Sequence, residues 1–139
     1  MILTSYSAEE TFAIGQKIGE SCEGGEVFLL SGDLGAGKTC LTQGIAAGLG
    51  IKGRVNSPTF NIMKVYKIKK GLVKTLCHID AYRLKTGQDL INIGFDDYLQ
   101  KDSVIVIEWA ELVESIWPKD RIKIEIKNFK DGRKIKISR

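Results

Sequence analysis

The stretch that decides the fold is Gly32-Asp33-Leu34-Gly35-Ala36-Gly37-Lys38-Thr39, which directly follows the apolar run Val27-Phe28-Leu29-Leu30. It matches the pattern G-x-x-x-x-G-K-[ST] in the strand-then-helix context that this pattern requires. The glycines let the backbone turn tightly with its N–H groups facing inward, where the next helix adds partial positive charge. Lys38 can then reach the β- and γ-phosphates of a nucleotide, and the Thr39 hydroxyl can bind magnesium. The stretch predicts a binding loop for a nucleoside triphosphate, and the alternative is a plain glycine-rich turn.

Length and composition agree with a small cytoplasmic protein. The 139 residues predict one domain, 1–139, with little room for a separate substrate lid. The three cysteines are scattered and odd in number, which favours reduced thiols over a disulfide framework or a zinc site. The N-terminus has no secretory pattern, and no stretch approaches the ~20 apolar residues of a membrane span. We therefore expect a soluble cytoplasmic protein without membrane contact.

The hydrophobic pattern along the chain predicts an α/β protein of the P-loop NTPase fold class. Its sheet should be mixed and mainly parallel, with antiparallel hairpins and flanking helices. The predicted elements are a helix from the capping box at Ser7 to about Cys22, a strand over 26–31, a helix from the loop to about Leu49, a hairpin of 60–69 with 72–79, a short helix over 87–93, a buried strand over 104–107, and a hairpin of 121–128 with 133–138.

Two acidic residues follow buried strand patterns and are candidates for metal binding and water activation. Asp80 ends the run Leu76–Ile79, and Glu108 ends the run Val104–Ile107. Carboxylates at the C-terminal ends of such strands lie where ligands bind in α/β sheets. One can hold the metal while the other orients or deprotonates the attacking water, and the pattern leaves that division open. The alternative for each acid is the capping of a turn.

Other positions allow two interpretations. Thr59, in the stretch 56–60, is either a switch-loop ligand of the nucleotide or part of a simple Ser-Pro turn. Arg83 can stabilise transition-state charge or lie on the surface. His78 is expected to be a packed or supporting group, and Trp109 to belong to the core or an interface.

The C-terminal segment carries most of the positive charge. Residues 119–139 contain nine Lys/Arg and three Asp/Glu, against twelve and fourteen in residues 1–118. Such a segment can contact RNA or an acidic protein surface. The alternating run Arg121–Lys127 favours a solvated sheet face instead, because it contains no aromatic residue that could stack on a base.

Four motifs in their order and spacing resemble the bacterial TsaE family, small ATPases of tRNA threonylcarbamoyladenosine synthesis. They are Gly32–Thr39, Ser57–Phe60, His78–Leu84 and Glu108–Trp109, and they span nearly the whole chain. The resemblance implies ATP and Mg²⁺ as cofactors. It also implies metal and phosphate contacts at Lys38, Thr39 and Glu108, an acid needed for hydrolysis at Asp80, a switch-loop role for Thr59, and positions near the nucleotide for Glu111, Gly132 and Arg133. We further expect Asp80 at the metal and the following residues at the nucleotide: Asp33, Leu34, Gly35, Ala36, Gly37, Cys40 and Arg83. Cys40 stands where the family usually has a hydroxyl residue, and Ala110 where it often has Pro or Gly.

The resemblance also implies partners and a role. The family works with the TsaB and TsaD proteins, which transfer a threonylcarbamoyl group to the adenosine beside the tRNA anticodon. The implied role is a weak ATPase that resets this pair between rounds, with any contact to tRNA indirect. The alternatives are a nucleotide-gated binding module without significant hydrolysis and a small P-loop kinase.

Overall fold

The computed structural model describes residues 1–33, 35–53, 55, 62–69 and 71–139. The strands are β1 (Ile2–Ser5), β2 (Val27–Gly32), β3 (Met63–Lys67), β4 (Thr75–Asp80), β5 (Ser103–Glu108), β6 (Ile122–Phe129) and β7 (Gly132–Ser138). The helices are α1 (Ala8–Glu20), α2 (Lys38–Gly48) and α3 (Gly87–Asn92), with 3₁₀ segments at Phe95–Tyr98 and Ala110–Ile116. The predicted elements are thus present, with ends shifted by a few residues, whereas β1 and the 3₁₀ segments were not predicted.

The strands form one mixed sheet in the order β1-β7-β6-β2-β5-β4-β3. Strands β6, β2, β5 and β4 pair in parallel at its centre, and β3, β7 and β1 add antiparallel pairs at its margins. Because β1 and β6 each run antiparallel to β7, they share a direction, so that only β3 and β7 run opposite to the other strands. The mainly parallel α/β sheet with antiparallel hairpins is therefore confirmed.

Strands β2, β4 and β5 are buried on both faces. In β2 the side chains of Phe28 and Leu30 belong to one core with α1 and α2, whereas Val27 and Leu29 belong to a second core with α3 and the 3₁₀ segments. The side chains of strand β5 are divided between the same two cores. The continuous apolar runs of these strands follow from this burial, since a strand covered on both faces has no solvent side to alternate with.

Helices α1 and α2 pack backbone against backbone through two pairs of glycines four residues apart. A Cβ added at Gly15 would lie 2.3 Å from the Leu41 carbonyl oxygen, and one added at Gly44 would lie 2.2 Å from that of Phe12. A Cβ added at Gly19 or at Gly48 would lie equally close to the backbone of the facing helix. Only glycine permits this approach, which keeps the helix that follows the glycine-rich loop close to α1.

Helix α1 begins with a partial capping box. The Ser7 side chain accepts a hydrogen bond from the Glu10 N–H, as the sequence predicts. The Glu10 carboxylate accepts from the Tyr6 N–H at 2.6 Å rather than from that of Ser7. The cap still satisfies two backbone donors at the helix start.

Candidate active site

The predicted loop and the two predicted acids meet at the C-terminal edge of the parallel strands. Strand β2 runs into the loop, α2 begins at Lys38, and β4 and β5 end side by side at Asp80 and Glu108, which are register partners. A cavity of about 300 Å³ opens between them. It is lined by Gly35, Gly37, Lys38, Thr39, Cys40, Asp80, Glu108 and Trp109.

Lys38 is nearly buried, with 5% of its surface exposed. Its Nζ donates to the carbonyl oxygens of Gly32 at 2.6 Å and Asp33 at 2.8 Å. Because an ammonium group has three donors, one N–H remains for a ligand. Burial lowers the pKa of this ammonium group. The negative charges of four nearby carboxylates act in the opposite direction and raise the pKa; they belong to Glu108, Glu111, Asp33 and Asp80. An anionic ligand in the cavity would favour the charged form further.

Glu108 is held by a residue on each side. The Thr39 hydroxyl donates to Glu108 Oε1 at 3.0 Å, and His78 Nε2 donates to Oε2. Glu108 is 3% exposed and His78 is fully buried. These contacts satisfy a carboxylate that would otherwise be costly to bury, and they fix its orientation toward the cavity. His78 is therefore the supporting group that its position in the sequence predicts.

Trp109 lies over the cavity, which the sequence did not predict. Its backbone adopts a left-handed conformation with φ of 57°, which is rare for a bulky residue and often accompanies function. The indole ring centroid is 4.1 Å from Lys38 Nζ and 5.0 Å from the ring centroid of Tyr82. Trp109 thus forms a cation–π contact with the lysine of the loop. The one available signal was its place directly after Glu108.

Arg133 approaches the loop from the β6–β7 hairpin. A Cβ added at Gly37 would lie 2.8 Å from Arg133 Nη1, and the same nitrogen donates to the Thr11 hydroxyl at 3.2 Å. Thr11 in turn shares a hydrogen bond of 2.6 Å with the Ser5 hydroxyl. The turn Gly132-Arg133 also lines a second cavity of about 290 Å³, together with Ser5, Tyr6, Ser7, Asn128, Lys130 and Asp131. Thr11 and Ser5 are site neighbours that sequence reasoning missed, since no local pattern marks them.

The remaining predicted residues fall into three groups. Ala36 is buried inside the loop, and Asp33 contributes its carbonyl while its side chain is exposed. Glu111 and Arg83 are exposed. Arg83 is not one of the described residues that line the cavity. Leu34 and Thr59 lie outside the described residues.

The oxygen ligands in the cavity suit magnesium. Thr39 Oγ1 uses its hydrogen to bond Glu108 and keeps its lone pairs, and the carboxylates of Glu108 and Asp80 line the same cavity. Within the described part of the chain no three His, Cys, Asp or Glu side chains cluster into a metal site. Mg²⁺ is usually held by one or two carboxylates together with waters and substrate phosphates, and two carboxylates and a hydroxyl line this cavity.

The parallel sheet, the glycine-rich loop between β2 and α2, and the lysine, threonine and strand-end acids around one cavity define a protein of the P-loop NTPase fold class. The family model for threonylcarbamoyl adenosine biosynthesis protein TsaE matches residues 5–135. The chain belongs to this family, which acts in the biosynthesis of threonylcarbamoyladenosine in tRNA.

Individual relatives agree along nearly the whole chain. The tRNA threonylcarbamoyladenosine biosynthesis protein TsaE of Bacillus subtilis is 42% identical over 130 residues, covering 94% of this chain and 79% of that protein. The TsaE protein of Treponema pallidum is 39% identical over 134 residues, covering 96% of each. The crystal structure of Bacillus subtilis YdiB superposes with a TM-score of 0.79 and 38% identity, covering 97% of this chain and 82% of that one. In the described ranges, no helix has the length and apolar character needed to cross a membrane.

Proposed function

We propose that this protein binds and hydrolyses Mg-ATP and that it acts on a TsaB–TsaD complex in threonylcarbamoyladenosine synthesis. The observation that carries the ATPase proposal is the convergence of Lys38, Thr39, Asp80 and Glu108 on one cavity. The proposal of TsaB and TsaD as partners follows from the family resemblance. The choice of ATP as the nucleoside triphosphate has the same origin.

The loop residues account for binding of the triphosphate. The remaining N–H of Lys38 would donate to the β- and γ-phosphates. Its hydrogen bonds to the carbonyl oxygens of Gly32 and Asp33 keep the side chain in place. The Thr39 hydroxyl and the Glu108 carboxylate would hold magnesium, which neutralises phosphate charge when it is bound. Trp109 covers the lysine and limits access of water to it.

Hydrolysis requires a water aligned with the γ-phosphate. The water oxygen forms the new bond to phosphorus, the bond to the bridging β–γ oxygen breaks, and ADP leaves. Asp80 and Glu108, at adjacent strand ends, are the groups that can orient this water and accept its proton. Which of the two takes the proton stays open. The 3.0 Å hydrogen bond to Thr39 and the bond to His78 bias Glu108 toward the metal.

We assign the nucleoside end of the nucleotide to the second cavity, beside the loop. Arg133 spans the distance from Gly37 to the second cavity, whose walls come from the β1–α1 turn and the β6–β7 turn. A nucleotide with its phosphates on the loop can extend past Arg133 into this cavity, where the guanidinium would face the phosphates. This location agrees with the positions near the nucleotide that the resemblance implies for Gly132 and Arg133.

The test is ADP release from Mg-ATP by the purified chain, alone and with a TsaB–TsaD pair. We expect slow release alone and stimulation by the pair. Glu108→Gln should reduce release by about 10²-fold or more, because a positioned acid–base or metal-binding group contributes on that scale. ATP binding, followed with a fluorescent analogue, should persist. The matched control is Glu114→Gln, which changes an exposed acid on the adjacent 3₁₀ segment and should leave release unchanged.

The outcomes separate the functional classes. Normal turnover by Glu108→Gln would remove Glu108 from the chemistry. ATP binding with no ADP release, even with the pair, would indicate a nucleotide-gated binding module. Phosphorylation of a small acceptor in place of ADP release into water would indicate a kinase.

A further inference from the structure

The face of strands β6 and β7 turned away from α1 and α2 is exposed and basic. Ile124, Ile126 and Ile135 point into the core beside those helices. Because side chains alternate along a strand, their neighbours point the other way. This exposed basic face consists of the exposed Lys127, Lys134 and Lys136 and of the half-buried Lys123, Glu125 and Phe129.

The lysines on the exposed basic face are only partly compensated. Lys127 and Lys134 are direct cross-strand partners, a like-charge arrangement that costs stability. Glu125, the one acid in the same set of positions, pairs with Lys136 in register and lies 3.4 Å from Lys127 Nζ. Both members of that ion pair are well exposed, so it stabilises little. An anionic partner would relieve the repulsion between the lysines.

Aromatic rings border these lysines, a feature that the run Arg121–Lys127 does not show. Phe129 continues the outward positions of β6, and Lys134 Nζ lies 5.2 Å from its ring centroid. Tyr6 packs against Phe129 with ring centroids 6.4 Å apart and remains 62% exposed. The sequence interpretation considered only the run that ends at Lys127, and it missed that the β6–β7 turn and β1 bring both rings to the lysines.

We propose that the exposed basic face binds RNA, with its lysines on the phosphodiester backbone and the Phe129–Tyr6 edge stacking on an unpaired base. Lysines interleaved with accessible aromatic rings are typical of surfaces that bind single-stranded nucleic acid, whereas an acidic protein surface needs no aromatic platform. The family acts in the biosynthesis of threonylcarbamoyladenosine in tRNA, and tRNA loops offer both phosphates and unstacked bases.

The lysines of this RNA surface lie apart from the nucleotide site, whereas Tyr6 at its aromatic edge also lines the second cavity. Arg133 and Lys134 are adjacent on β7, yet Arg133 contacts Thr11 on α1 and approaches the loop, whereas Lys134 contacts Phe129 on the opposite face. One strand thus presents a cation to each site. Variants of the lysines can therefore test RNA binding without altering residues assigned to ATP.

The test is binding of an unmodified tRNA transcript, followed by fluorescence anisotropy between 50 and 200 mM salt. Each lysine–phosphate contact contributes about 0.7–0.9 to the slope of log affinity against log salt. Lys127→Gln/Lys134→Gln should therefore lower the slope by about 1.5 and weaken binding at least tenfold at low salt. The matched control, Lys74→Gln/Lys101→Gln, removes two exposed lysines from the opposite end of the sheet and should bind as wild type does.

A second variant tests the aromatic edge. Phe129→Leu should reduce affinity for the tRNA about tenfold while leaving the salt slope unchanged, because it removes stacking and no charge. The lysine variants should retain ATP binding, and all variants should retain the wild-type circular dichroism spectrum. The proposal is overturned if wild-type protein does not bind tRNA, if the double variant binds as the control does, or if polyglutamate binds to this face and tRNA does not. The last outcome would assign the face to an acidic protein.

Discussion

Replacement of Gly15 by alanine should destabilise the protein, although alanine is the better helix former. The added Cβ would lie 2.3 Å from the Leu41 carbonyl oxygen and 3.1 Å from the Gly44 Cα. All of the atoms it meets belong to the backbone, so no side chain can rotate away, and α1 and α2 must separate by about 1 Å. Overpacking of this kind costs about 1–3 kcal/mol.

The intrinsic helix preference acts in the opposite direction. Alanine is favoured over glycine in a helix interior by about 1 kcal/mol. Because the added Cβ would lie 2.3 Å from a backbone oxygen, the overpacking cost falls at the upper end of its range, and the net expectation for Gly15→Ala is a loss of about 2 kcal/mol in the free energy of unfolding. Because Leu41 lies in the first turn and a half of α2, separation of the helices should also move Lys38 and Thr39 and weaken ATP binding.

Urea denaturation followed by circular dichroism measures this effect. The control is Ala13→Gly on the same helix at an exposed position, which reports the intrinsic preference alone and should lose about 1 kcal/mol. If close packing governs Gly15, both substitutions destabilise although they exchange the same two residues in opposite directions. A Gly15→Ala variant as stable as wild type, or more stable, would refute the reasoning.

Two further predictions concern buried groups. His78→Leu leaves the Glu108 carboxylate, which is 3% exposed, without one of its partners. It should lower the free energy of unfolding, measured by urea denaturation, by about 3–5 kcal/mol, whereas His78→Leu/Glu108→Leu should recover most of this loss. A double variant as unstable as the single variant would contradict this prediction. Burial raises the pKa of the Cys22 and Cys77 thiols to about 12, which reduces the thiolate fraction at pH 8 about a thousandfold. Higher intrinsic nucleophilicity offsets part of this, so Cys22 should react with iodoacetamide about 30-fold more slowly than free cysteine. The fully buried Cys77 should react more slowly still, and both rates should rise with pH; peptide mass spectrometry after digestion would reveal any faster labelling of either residue.

The sequence by itself determined the local elements and the chemistry of the loop. The pattern Gly32–Thr39 after an apolar strand, the buried run before Glu108 and the hairpin turn at Asp131-Gly132 depend on neighbouring residues, so their signals are local. The strand-end position of Asp80 and Glu108 also followed, because consecutive parallel strands in such a fold end at one edge. The family resemblance added the expected partners.

Only the tertiary structure decided which distant residues meet. Strand β1 is four residues long and exists through pairing with β7 at the other end of the chain, a contact that no window of sequence contains. The close approach of α1 to α2, the contact of Arg133 with Thr11, and the position of Trp109 over Lys38 likewise join residues far apart in sequence. Such contacts depend on the packing of elements against one another, whereas composition and periodicity report only what each element prefers.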